Sequence, residues 1–267
     1  MKKFTKISLI TAAVFFCLGL ILWGVGAANG GGYEGLRNDI LDGKFNIEYH
    51  RRETKMTSGN MQSSSIELPD KMNLNVSVGG AHIRFKDSDD GKFNVEAEGV
   101  NISWGMNDED IDISTKNKIF GNKSAGDITV YVPSDYKFKN VDIECGAGEV
   151  YIDSLSARNL DLDIGAGEAV LNNVDVRNID IECGAGDIQL NGNVEKGGDI
   201  DCSMGNITLN LEQPYEYYDY NIDCSMGEVN INDNNYSGLG IDKKLKNSPE
   251  HELNIECSMG QIDINTK

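Results

Sequence analysis

The sequence predicts an all-β fold: a β-solenoid, or β-helix, of stacked coils of roughly 19–22 residues, preceded by one N-terminal transmembrane helix. Three observations predict it. A glycine-centred segment recurs at near-constant spacing through the second half of the chain. Within each copy, apolar and polar residues alternate with a period of two. Ahead of the repeats lies an uncharged apolar run long enough to cross a bilayer.

The repeat is read from six segments: ECGAGEVYI (144–152), DIGAGEAVL (163–171), ECGAGDIQL (182–190), DCSMGNITL (201–209), DCSMGEVNI (223–231) and ECSMGQIDI (256–264). Their shared glycines, Gly148, Gly167, Gly186, Gly205, Gly227 and Gly260, recur at intervals of 19, 19, 19, 22 and 33. Constant gaps imply identical coils stacked in chain order, with a polar, turn-rich loop inserted between Asn232 and His251. Weaker copies at 76–85 and 123–132 place the start of the repeat near Ile66. In NIDIECGAGDIQL, Ile179, Ile181 and Cys183 alternate with Asp180 and Glu182, which describes a strand with one dry face. Gly184-Ala185-Gly186 then breaks the phase, as a turn that needs permissive φ would, and Ile188 and Leu190 resume it. Coils this short cannot bury a face alone, so stacking must make one continuous narrow core.

Stacking turns each repeat position into a column. Cys145, Ile164, Cys183, Cys202, Cys224 and Cys257 share one. Because Ile fits the same site, the column is expected to be an inward apolar ladder of small buried hydrophobes. Inter-coil disulfides and a metal role are the competing readings, and no CxxC or Cys/His spacing supports zinc. A second column reads Ala147, Ala166, Ala185, Met204, Met226, Met259. The methionines are expected to fill a widening corner of the core; a Met row is also a donor set for soft copper. The third column is acidic: Glu144, Asp163, Glu182, Asp201, Asp223 and Glu256. Two residues earlier runs Asp142, Asp161, Asp180, Asp199, Asn221, Asn254. Both rows alternate with apolar positions and so point outward, where like charges at strand spacing repel. Solvation, neighbouring lysines or bound cations can relieve that repulsion. Weak divalent binding, Ca²⁺ included, is therefore the one metal expectation here.

Residues 1–6 form a basic tail carrying Lys2, Lys3 and Lys6, and residues 7–28 form the apolar run. The lysines favour a cytoplasmic N-terminus, which makes the run a single-pass anchor and puts everything beyond it outside the cell membrane. A cleaved signal peptide is the alternative, and it exports the domain equally. Residues 29–62 read as a juxtamembrane linker and 63–267 as the extracytoplasmic solenoid. Up to Ala27 the chain holds those three lysines and no acid, so the remainder sets 21 basic against 43 acidic side chains, a net of −22. A surface so acidic repels nucleic acid phosphates and excludes that class of partner.

No catalytic constellation emerges. The GAG triplets lack the GK[ST] of a phosphate-binding loop, His50, His82 and His251 lack HExxH spacing, and no GxSxG elbow occurs. No resident cofactor is expected. The passage GDITVYVPSDYKFKNVDIECGAGEVYI (126–152), with the repeated GAG[ED] units after it, resembles the adhesin-like family of bacterial β-strand-repeat proteins, a domain of unknown function. It is similar also to the head domains of adhesin-like autotransporters. The resemblance covers about residues 63–267 and implies an envelope-associated β-helix with no catalytic residues to transfer; the SMG half, from Cys202 onward, departs from it. The function expected is a non-enzymatic, membrane-anchored surface module that binds an envelope protein, a glycan or a cationic peptide. An accessory or sensory protein of an envelope-stress response is one alternative. A carbohydrate-active β-helix enzyme using Tyr215, Tyr217, Tyr218 and Tyr220 is another.

Overall fold

The computed structural model describes residues 65–115, 126–248 and 250–267, so the basic tail, the apolar run and the linker lie outside the described residues. Among the described residues no helix is long and apolar enough to cross a membrane. The structure is all-β, with one 3-10 turn at Tyr215–Tyr217. The strands are β1 (Asn73–Val78), β2 (His82–Asp87), β3 (Asn94–Glu98), β4 (Ile102–Met106), β5 (Asp110–Thr115) and β6 (Asp127–Val132). They continue with β7 (Lys137–Cys145), β8 (Glu149–Ile152), β9 (Leu155–Ile164), β10 (Glu168–Cys183), β11 (Asp187–Cys202) and β12 (Asn206–Leu211). The last are β13 (Asp219–Cys224), β14 (Glu228–Ile231), β15 (Asn234–Asn235), β16 (Ile241–Leu245), β17 (Glu252–Cys257) and β18 (Gln261–Thr266).

Each coil contributes one strand to each of two parallel faces, with a glycine turn between them. Along the first face the order is β5, β1, β7, β9, the second half of β10, the second half of β11, β17 and β13. Along the second it is β6, β2, β8, the first half of β10, the first half of β11, β12, β18 and β14. A short third face closes the coil, where Phe138, Ala157, Val176 and Val194 stack inward. The alternation drives this packing directly: in β9 Leu160, Leu162 and Ile164 are buried while Asp161 and Asp163 are exposed.

The coils do not stack in chain order, which corrects the sequence expectation. After β12 the chain skips one coil position, forms β13 and β14, and then returns to fill the gap with β17 and β18. The N-terminal end is arranged likewise, with β1 and β2 seated between the β5/β6 coil and the β7/β8 coil. At both ends antiparallel strands cover the last coil: β4 on β5 and β3 on β6, then β16 on β13 and β15 on β14. Such caps occupy edges that would otherwise template pairing with another chain. The loop expected between Asn232 and His251 therefore contains the cap. Buried Asp219 anchors the segment that follows it, accepting hydrogen bonds from Lys246 Nζ at 2.8 Å and from the Asn247 and Ser248 amides at 2.6 and 2.8 Å.

The glycine turns also differ from expectation. The turn glycines between Gly146 and Gly186 do not lie at positive φ. What demands glycine is the neighbouring coil: a Cβ on Gly165 would sit 2.6 Å from the Gly146 carbonyl oxygen, and one on Gly167 would run into that of Gly148. Positive φ is used elsewhere. The corner of β11 is one residue shorter than that of β10 at Gly192 and regains the residue before Gly197 (φ 110°) and Gly198 (φ 144°). The two changes cancel and preserve the coil's length.

Candidate functional site

The cysteines lie beneath the turns. Cys145, Cys183, Cys202, Cys257 and Cys224 are buried free thiols, and Ile164 shares their column. The Cys183, Cys202 and Cys257 thiols donate to the carbonyls of Gly186, Gly205 and Gly260 at 3.2, 3.0 and 3.1 Å. Burial pushes the Cys145 and Cys257 thiols up, so they remain protonated at neutral pH. Gly148, Gly167, Gly186, Gly205, Gly260 and Gly227 follow one another along the turn edge.

The outward surface of the first face carries three parallel rows. In the outermost, Ser77, Glu144, Asp163, Glu182, Asp201, Glu256 and Asp223 stand in register, and Asp242 of the cap extends it. The middle row is Asn75, Asp142, Asp161, Asp180, Asp199, Asn254 and Asn221. The innermost is an amide ladder: Asn178 donates to Asn159, Asn159 to Asn140, Asn140 to Asn73 and Asn73 to Asp110, each at 2.7–2.8 Å. The amide ladder and the middle row line a shallow groove of about 600 Å³.

Four aspartates thus stand consecutively between asparagines. Asn254 donates to Asp199 at 2.8 Å, but Asn75 donates away, to Asp112. Among the described residues no Lys, Arg or His pairs with either carboxylate row; the ion pairs present lie elsewhere, as in Lys137–Asp175 and His82–Glu149. The electrostatic consequence centres on Asp161. Asp161 is exposed, yet the groove walls partly desolvate it, and that desolvation, then the charges of Asp142, Asp180, Glu182 and Asp163, push its carboxyl up to about 6. Burial and carboxylate neighbours raise Asp142 and Asp201 as well. Among the described residues no three His, Cys, Asp or Glu side chains converge to hold a metal ion. The rows form a distributed strip of negative charge.

Two further groups are located by the structure. The methionine column does not fill the core: Met204, Met259 and Met226 stand 61, 55 and 60% exposed on the turn edge. The reason is geometric, since the middle residue of each turn points away from the stack, as exposed Ala147, Ala166 and Ala185 also do. The tyrosines instead pack. Tyr218 and Tyr220 are buried, Tyr215 stacks on Tyr220 at 5.2 Å, and Tyr217 stacks on His251 at 4.0 Å. The amide ladder and the cap strands were missed by sequence reading. The even recurrence of Asn140, Asn159 and Asn178, once per coil, was the signal for the first.

Residues 37–265 match the family described as Toastrack DUF4097. The chain belongs to the Toastrack DUF4097 family. The Toastrack domain is one of unknown function. Among solved structures, this Toastrack chain is similar to a candidate cell adhesion protein from Clostridium sporogenes, at 17% identity over 78% of this chain and 100% of that one, with a TM-score of 0.45. It is similar to a candidate adhesin from Bacteroides fragilis at 16% identity, over 78% of this chain and 98% of that one, with a TM-score of 0.36. A candidate lipid binding protein from Parabacteroides distasonis is 14% identical, over 78% of this chain and 98% of that one, with a TM-score of 0.38. No curated protein matches the sequence.

Proposed function

We propose that this Toastrack chain is a non-enzymatic binding module, held at the outer face of a membrane by residues 7–28, whose acidic face takes a cationic peptide or protein segment of the cell envelope. The observation that carries this reading is the pair of carboxylate rows without a basic partner among the described residues. A folded protein normally intersperses opposite charges on such a face, because like charges directly opposite across strands are destabilising. Here no basic side chain among the described residues comes within ion-pair distance of either row, and partial desolvation together with the neighbouring carboxylates raises Asp161. Lysines or arginines of a partner, arrayed along an extended segment, would relieve repulsion at several coils at once. A distributed strip suits such a ligand better than a single divalent ion, which needs six or more oxygens around one point. The groove between the amide ladder and the aspartates would seat the segment's backbone.

The test is a titration of the full chain in detergent micelles with oligolysine and with oligoglutamate, followed by calorimetry across a salt series. Oligolysine is expected to bind, and to weaken steeply as salt screens the charges. Replacing Asp142, Asp161, Asp180 and Asp199 together by Asn should reduce affinity at least tenfold. A control replacing the exposed and scattered Asp89, Asp108, Glu216 and Asp233 by their amides removes the same formal charge and should reduce it much less. Equal loss in both variants would reduce the interaction to net charge and sink the reading.

A further inference from the structure

The exposed large hydrophobic side chains among the described residues are Met204, Met259, Met226 and Leu239. The three methionines occupy the same turn position in three consecutive repeats, which are neighbours in space in an order that differs from their order in the chain. Backbone bonds establish the order, with Met259 N donating to the Ser203 carbonyl and Met226 N to the Ser258 carbonyl, each at 2.8 Å. Leu239 lies beside the turn edge, since the Gly240 amide donates to the Ser225 carbonyl at 3.0 Å. In the coils on the other side of Met204 the same position is alanine: Ala185, Ala166 and Ala147. The turn therefore does not require a long side chain, and burial does not stabilise the three that are present.

We propose that Met204, Met259 and Met226 form a thioether site for a soft monovalent cation, Cu(I) or its analogue Ag(I). Neighbouring coils stand about 4.8 Å apart. Methionine has three rotatable bonds and a polarisable sulfur, so the outer two side chains can lean toward the middle one, Met259, and close a three-sulfur set around one ion. Neutral thioethers have little hold on hydrated Ca²⁺ or Mg²⁺, which the carboxylates attract instead, so the ligand chemistry selects a soft ion. Asp201, Glu256 and Asp223, three residues before each methionine and in register with one another, raise the local cation concentration without competing for a soft centre. The one other soft donor set close by is the thiol column, and Cys202, Cys257 and Cys224 are buried beneath the turns.

The experiment is a titration of the full chain in detergent micelles with Ag(I), and under reducing, anaerobic conditions with Cu(I) against a colorimetric Cu(I) chelator. Binding is monitored through the carbon-13 methyl resonances of methionine. One equivalent should bind and shift three methyl signals, those lost in Met204→Leu, Met226→Leu and Met259→Leu. Met259→Leu, the central substitution, should weaken binding at least tenfold, and the triple variant should abolish it. Leucine at these exposed positions should leave the far-ultraviolet circular dichroism and melting temperature unchanged, so loss of binding is not loss of fold. Cys202→Ser and Cys257→Ser should retain the site. Failure of either ion to shift the methionine methyls overturns the proposal. So does binding that survives the triple methionine variant and disappears in the cysteine variants, because the thiols would then be the ligands. The polycation experiment reads different residues, so the two proposals fail separately.

Discussion

Asp161 is partly desolvated in the groove and has a like charge one coil away on either side, Asp142 and Asp180, and its folded carboxyl holds a proton up to about pH 6. The unfolded carboxyl releases that proton near the ordinary value of 3.8. Between those values the folded state binds more protons than the unfolded one, so stability falls as pH rises through the window. Chemical denaturation should accordingly show a higher midpoint at pH 4.5 than at pH 7. Asp161→Asn should remove most of that slope and stabilise the protein at pH 7 by up to about 1 kcal/mol, the scale of one cross-strand like-charge pair. Asp219 and Asp90 have the opposite tendency, held below the ordinary range chiefly by hydrogen bonds from Lys246 and Ser88, so their losses begin only below that window. Glycine supplies the second residue-scale prediction. Gly167→Ala should destabilise by about 1–3 kcal/mol, because the new methyl overpacks against the Gly148 backbone. Gly80→Ala, with open space around its Cβ, should stay within about 0.5 kcal/mol of wild type in the same denaturation assay. The regular recurrence made the turn glycines legible, but not their cause. A single sequence read locally suggests backbone freedom, whereas the constraint is the closeness of the next coil.

At the scale of elements, the coil made by β17 and β18 is an interior layer, although it lies at the end of the chain. Leu253, Ile255, Cys257, Ile262 and Ile264 are buried between coils on both sides. Removing residues 248–267 should therefore do more than fray one end. Hydrogen exchange of the shortened chain should show protection lost from β13 and β14, which pair in parallel only with β17 and β18. Stacking in chain order would leave β13 and β14 protected against β11 and β12, and that result would contradict the topology. The irregular intervals from Gly205 to Gly227 and from Gly227 to Gly260 were visible in the sequence, and they read equally well as an inserted loop. Strand alternation records which residues face inward but not which coil is a strand's neighbour. Equivalent coils offer nearly equivalent surfaces, so only the path of the connecting segments decides the order. The tyrosines of 215–220 and the Asp219 anchor lie along that path.

For the whole molecule, charge and repetition act together. A net charge of −22 on the chain beyond Ala27 would be a diffuse field on an irregular surface. Parallel stacking instead collects much of it into two rows on one face, where its attraction for cations should be strong and readily screened by salt. The same stacking brings the methionines of three coils onto one edge. What the sequence by itself determined was the all-β class, the inward and outward faces of each strand, the recurrence of the turns and the excess of acid. These are encoded locally, by the identities of residues two positions apart along a strand or one coil apart along the chain. The tertiary structure alone decided the order of the coils, the capping of both ends, the side-chain amide ladder and the exposure of Met204, Met226 and Met259. Those features depend on which backbone lies across the next gap of about 4.8 Å, a distance set between coils rather than along the chain.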